Sequence, residues 1–128
     1  MGKLLADRLK KRADFLRAQK GVRRSAPGLT LEICVTPDVS ARDGRFRVGF
    51  TASRKVGGAV ERNRAKRRLR AAAQAVLPLQ GRERTDYVLV ARTATLTRPY
   101  CELLKDLAQT LAAAHVRLAP VPPGAGET

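Results

Sequence analysis

Aromatic residues are scarce in this chain, at 4% of 128 residues with no tryptophan. Phe15, Phe46, Phe50, Tyr87 and Tyr100 must therefore supply both the core and any stacking on unpaired bases. There is one histidine, His115, and two cysteines, Cys34 and Cys101. None has ligand spacing, which excludes a zinc finger or similar metal site. The opening MGKLLADRLKKRADF breaks its apolar residues with charges too early for a signal-peptide core. Ala6 stands where a myristoylation pattern wants Ser or Thr. Without a secretory signal, the cysteines read as two reduced thiols, one on a strand and one near a helix start. No apolar run approaches the ~18–20 residues of a membrane span.

Acidic residues are also few: 11 against 26 Lys and Arg, for a net charge of +15 and a pI near 11.3. Hydrophobic residues still make up 44%, so this is a folded domain and not a disordered polycation. A surplus that large implies a polyanionic partner, nucleic acid first and an anionic membrane second. Protein-borne hydrolysis finds little support. Glu61 sits beside Arg62, Asp86 precedes a strand, and neither has a partner carboxylate at an acid/base spacing. Ser53 has no nearby histidine, no Walker motif is present, and Gly57-Gly58 alone is too weak for a phosphate loop. His115 suits a solvated or packing role on a C-terminal helix.

The pattern of elements comes next. Asp14 opens or caps a short helix to about Lys20, with Gly21 at its end. Residues 22–28 read as a loop or a short edge strand. Leu29, Leu31, Ile33 and Val35 alternate with polar positions, a half-buried strand stopping before Pro37. Residues 37–44 form a hairpin connection, and Arg45 to Ala52 alternates again, so the two strands predict an antiparallel ribbon. Phe46 and Phe50 fall on the core side with Val48. A helix runs from about Ala59 to Leu77 and is ended by Pro78. Residues 86–91, DYVLVA, read as a central strand covered on both faces. Thr97 can cap a last helix with Pro99 in its first turn. The tail from Ala119 has no periodicity and reads as disordered. The expectation is one α+β domain over 1–118, in the order α-β-β-β-α-β-α, with a four-stranded, mainly antiparallel sheet. Its strand–helix–strand unit over 45–91 would by default be right-handed.

The densest information lies in Thr51 to Arg70, TASRKVGGAVERNRAKRRLR, with eight Lys or Arg against the lone Glu61. Asn63, Lys66, Arg67 and Arg70 fall at i, i+3, i+4 and i+7, along one helical face. Ala65, Leu69, Ala72, Ala73 and Val76 make an apolar stripe roughly opposite. Arg54 and Lys55 should sit at a strand end near the helix N-terminus, where free amides and the dipole favour phosphate. A solvated charged face is the bland alternative, but like charges this dense repel with no acids to offset them. Phosphate binding accounts for the imbalance better. A short basic helix could present Phe15 to the core or to the surface.

These residues carry a resemblance. FTASRKVGGAVERNRAKRRLR is similar to the signature of the bacterial ribonuclease P protein subunit: Arg62-Asn63-Arg64, then Lys66-Arg67, then Arg70. RLKKRADF (Arg8 to Phe15) resembles that family's N-terminal helix, RVGFTASRK its strand entering the motif, and DYVLVAR the strand after it. The resemblance implies a left-handed βαβ crossover in place of the right-handed default. It implies a cytoplasmic ribonucleoprotein that removes the 5′ leader of precursor tRNA, with Mg²⁺ and catalysis in the RNA subunit. Its partners would be that catalytic RNA and precursor tRNA, with no DNA and no membrane. Arg62, Asn63, Arg64, Lys66, Arg67 and Arg70, beside Arg54 and Lys55, would meet the catalytic RNA. Phe15, Thr51 and Ser53 would line a leader cleft. Two departures stand in that cleft: Gln19 replaces a second aromatic, and Glu32 or Cys34 replaces an aromatic on the first long strand. Gly58 replaces a common Asn. A ribosomal or general RNA-chaperone protein is the alternative within RNA binding. A protein-only nuclease is disfavoured by the missing carboxylate pair.

Overall fold

The computed structural model describes residues 7–37 and 46–118. The expected connection at 37–44, all but its first residue, and the tail at 119–128 lie outside the described residues. In chain order the elements are β1 (Asp7–Arg8), α1 (Arg12–Gln19), β2 (Val22–Ala26), β3 (Leu29–Val35) and β4 (Arg47–Ala52). They continue with α2 (Ala59–Gln80), β5 (Thr85–Ala91) and α3 (Tyr100–Arg117). The fold is α+β, and the helices and longer strands follow the order read from the sequence. The two-residue β1 is an addition on the edge beside β4.

Across the sheet the strands run β1-β4-β5-β3-β2. β3 pairs antiparallel with both β2 and β5, while β4 pairs parallel with β5. Two of the three ladders joining the four longer strands are thus antiparallel. The expected β3–β4 ribbon does not form, because β5 lies between them. The reason is burial: β5 is buried at all but one of its positions, and the centre of the sheet is where both its faces are covered. β3 is likewise more than half-buried, since Thr30, Glu32 and Cys34 are buried along with its apolar positions.

One face of the sheet carries the main core. Leu31, Val48, Phe50 and Leu89 pack beneath α2 and α3, whose Leu69, Leu77, Leu103 and Leu107 are fully buried. The apolar stripe of α2, Ala65, Leu69, Ala72, Ala73 and Val76, is buried as its 3.6-residue period requires. At the edge of this core Phe46 meets Tyr87 edge-on. Tyr87 Oη accepts from the Arg82 N–H at 2.7 Å and lies 2.7 Å from His115 Nε2. His115 is a packing residue.

Two element ends differ from expectation. α2 runs through Pro78 to Gln80. In a last turn the missing proline N–H forfeits one ladder bond, and the Gly81 N–H closes the helix on Leu77 O at 2.7 Å. α3 begins after Pro99, its N-cap, and Thr97 instead ends a 3-10 turn over 93–96. Arg98 and the Gly28 N–H both bind the Asp106 carboxylate, at 2.8–3.1 Å, fastening α3 to the β2–β3 turn.

Candidate nucleic-acid interface

The opposite sheet face is covered only in part, by α1. What fixes α1 there is a buried ionic cluster. Arg47 on β4 forks onto Asp86 of β5 at 2.8 and 2.7 Å and reaches Asp14 of α1 at 3.2 Å. Arg17 donates to Asp14 at 2.8 Å, and the Thr36 hydroxyl donates to Asp86 at 2.7 Å. Burial opposes the charge on Asp14, but the Arg17 hydrogen bond and the nearby Arg47 outweigh it and hold its carboxyl below 3.8. A buried carboxylate this well satisfied acts as a positional lock, because removing one partner strands the other charge.

The lock sets Phe15, the next residue. Its ring lies on Gly49 of β4 so closely that a Cβ there would stand 2.7 Å from the ring. Glycine is required at 49 for that approach. Phe15 and Val90 flank a small second core of Leu9, Ala18, Cys34 and Val88. Burial, then the charge of Asp86, pushes the Cys34 thiol up to about 11.

Beyond α1 the sheet face stays open. One cross-strand row reads Arg23, Glu32, Val88, Gly49; the next reads Ser25, Thr30, Val90, Thr51. A groove of about 480 Å³ between α1 and the first row is lined by Lys10, Arg12, Phe15, Gln19, Glu32 and Thr51. A neighbouring hollow of about 490 Å³ on the second row is lined by Ser25, Thr30, Ser53, Lys55 and Arg92. Phe15, Gln19, Thr51 and Ser53 are thus brought onto one sheet face, as is Lys55. Of the two candidate replacements on the first long strand, Glu32 lines the groove and Cys34 lies under α1. Lys10, Arg12 and Arg92 were not singled out from the sequence. The basic lead-in carried a signal for the first two; Arg92 reaches the rim only through the pairing of β5.

β4 leads directly to the basic helix. The Ser53 side chain accepts from the Lys55 N–H at 3.3 Å, and Gly57 takes φ 145°, a conformation that favours glycine. The chain then enters α2 with Gly58 at the N-cap. At this N-terminus Glu61 accepts from the Gly58 N–H at 3.0 Å, which caps one of the first-turn amides. Arg54 and Lys55 are exposed beside it.

Along α2 the cations divide. Arg62, Lys66 and Arg70, spaced four apart, are half-buried, and Arg70 lies over the Phe50 ring at 5.4 Å. Burial, with Arg8 nearby, lowers the Arg70 pKa. Arg64, Arg67 and Arg68 instead flank Tyr100 of α3 in a shallow hollow of about 310 Å³, with Arg68 donating to the Arg98 carbonyl. Asn63 is exposed. The single stripe expected for Asn63, Lys66, Arg67 and Arg70 is therefore a broad convex ridge with Arg70 and Arg67 on different flanks. The physical reason is packing: a helix resting on both β4 and α3 has two seams, and long side chains lie along each. Among the described residues, Arg62, Arg64, Lys66, Arg67 and Arg70 make no ion pair, whereas Asp14, Asp86 and Asp106 each bind an arginine. These three acids are committed inside the fold, and the ridge is left without a paired acid among the described residues.

Among the described residues no helix is long and apolar enough to cross a membrane, and no group of three or more His, Cys, Asp or Glu is placed to hold a metal ion. Fold and surface together define a small, strongly basic α+β protein with a cationic helix beside an open sheet groove. A family model described as Ribonuclease P matches residues 5–115. The chain is 49% identical over 106 residues to the ribonuclease P protein component of Paramagnetospirillum magneticum, spanning 82% of this chain and 80% of that one. To the component from Caulobacter vibrioides it is 50% identical over 105 residues, spanning 82% and 68%. The Staphylococcus aureus RNase P protein superposes with a TM-score of 0.69 at 28% identity, over 87% of this chain and 97% of that one. This chain belongs to the ribonuclease P protein family.

Proposed function

We propose that the chain is the protein subunit of a ribonuclease P ribonucleoprotein that removes the 5′ leader of precursor tRNA. The ridge of Arg62, Asn63, Arg64, Lys66, Arg67 and Arg70, with Arg54 and Lys55, grips the catalytic RNA. The groove of Phe15, Gln19 and Thr51, with Ser53 in the neighbouring hollow, holds the single-stranded leader, with Phe15 offering a stacking surface and Lys10 and Arg12 meeting phosphates. The observation that carries this reading is the unpaired ridge: cations denied protein counter-charges are available for phosphate.

The chain positions its ligands. Mg²⁺ takes hard oxygen ligands, whereas the ridge presents guanidinium and ammonium groups that repel a divalent cation. The Mg²⁺ used in leader hydrolysis therefore belongs to the phosphates of the RNA subunit. This division of labour fits a cytoplasmic ribonucleoprotein subunit.

Reconstitution tests it. Added to the catalytic RNA at low Mg²⁺, the protein should restore leader removal; no rescue would favour an RNA chaperone without a role in cleavage. Cutting by the protein without any RNA would instead revive a protein-only nuclease. Replacing Arg64 and Arg67 by Ala should flatten the salt dependence of RNA binding by about 0.7–0.9 per lost phosphate contact. An unchanged slope would mean that these side chains face only solvent.

A further inference from the structure

Glu32 sits in the groove in a way that the cationic rim does not explain. Its side chain is only 8% exposed and lines the groove beneath α1. Its nearest cation, Arg23 Nη1, lies 3.6 Å away on a side chain that is 57% exposed, too far for a hydrogen bond. The other buried carboxylates are treated differently. Asp86 accepts three hydrogen bonds and Asp106 accepts from Arg98 and Gly28. Burial raises the Glu32 pKa, and the Arg23 charge offsets this only in part. A carboxylate has about four acceptor sites; among the described residues no donor fills those of Glu32, and they face the groove, free to accept from a ligand.

We propose that Glu32 is a base-reading residue of the groove, accepting the N–H donors of an unpaired base, and that it selects guanine. The inference rests on the groove being a single-strand site and adds what that site prefers. Guanine presents its N1–H and N2–H side by side, matching the two oxygens of a carboxylate. Adenine and cytosine each offer one amino group next to a ring acceptor, and uracil flanks its only N–H with two carbonyls. The order is therefore guanine first and uracil last. Phe15 and Val88 give the base an apolar bed, while Lys10 and Arg12 keep phosphates at the rim. The floor carboxylate repels phosphate, which turns the base inward.

The test uses the full chain and fluorescent single-stranded RNA: an all-uridine tract, and the same tract with one guanosine, adenosine, cytidine or inosine. Wild type should bind the guanosine tract about tenfold more tightly than all-uridine RNA. Inosine, which lacks the 2-amino group, should lose most of that gain; this comparison needs no variant and so no assumption about folding. Glu32→Gln should bring the tracts near equality, with all-uridine binding unchanged or tighter. Equal binding of all tracts by wild type, or a guanosine preference that survives Glu32→Gln, overturns the proposal. Phe15→Ala separates the two layers of the argument. If it weakens all-uridine binding while wild type shows no base preference, only the role of Glu32 falls. If it leaves all-uridine binding unchanged, the single-strand reading of the groove falls as well.

Discussion

The two faces of the sheet solve opposite problems with the same five strands. Under α2 and α3, Leu69, Leu77, Leu103 and Leu107 close an apolar layer over Leu31, Val48 and Leu89. Under α1 an ionic cluster and one aromatic ring on a glycine hold a short helix over polar rows. The sealed face provides rigidity through area removed from water. The open face provides geometry through directional bonds, leaving Glu32, Thr30 and Thr51 within reach of a ligand. A site can stay polar and partly uncovered when the energy that maintains its shape is generated elsewhere.

The sharpest way to break that contrast is from the sealed side. Leu69→Ala should cost about 2–5 kcal/mol of stability, read by urea unfolding, through lost transfer energy and a residual cavity. A loss well below that would mean the α2 seam is loosely packed and the two faces are not so different. From the open side, Gly49→Ala should cost about 1–3 kcal/mol by overpacking and should weaken single-strand binding, because the new methyl displaces the Phe15 ring. Unaltered binding would detach Phe15 from the groove's chemistry.

A smaller effect separates the faces by pH. Burial, then the charge of Arg82, lowers the His115 pKa below 6.5, so the folded state takes up a proton less readily than the unfolded chain. The associated stability is complete above 6.5 and is lost as pH falls through the folded value. Asp14 across the sheet is also lowered, so its contribution persists above 3.8 and disappears only on further acidification. Thermal melts should show the His115 step first, and His115→Gln should remove it. A step that persists in that variant would assign it to another group.

Much of this was legible in the residues. The apolar stripe of α2 and the buried run of β5 were visible because helical and strand periods are local properties. The eight cations between Thr51 and Arg70 declared themselves by the acids missing around them. The β3–β4 ribbon was misread because alternation marks a strand without naming its neighbour. The Glu61 cap on the Gly58 N–H was not read, because nothing in the spelling Gly-Ala-Val-Glu shows that Glu61 folds back onto it. Glu32 and Cys34 were equal candidates for the cleft position on the first long strand, and only the seating of α1 put Glu32 in the groove and Cys34 beneath the helix.

Composition and local order determined the family-bearing motif, the helices and the positive charge, since each depends on residues close in the chain. Only tertiary structure decided which strand sits at the centre, how the cations divide between two seams, and that a carboxylate lines the groove. Those outcomes depend on contacts between residues tens of positions apart, such as Arg47 with Asp86 and Phe15 with Gly49. Such contacts arise from competition among whole elements for burial, which no short stretch of sequence contains.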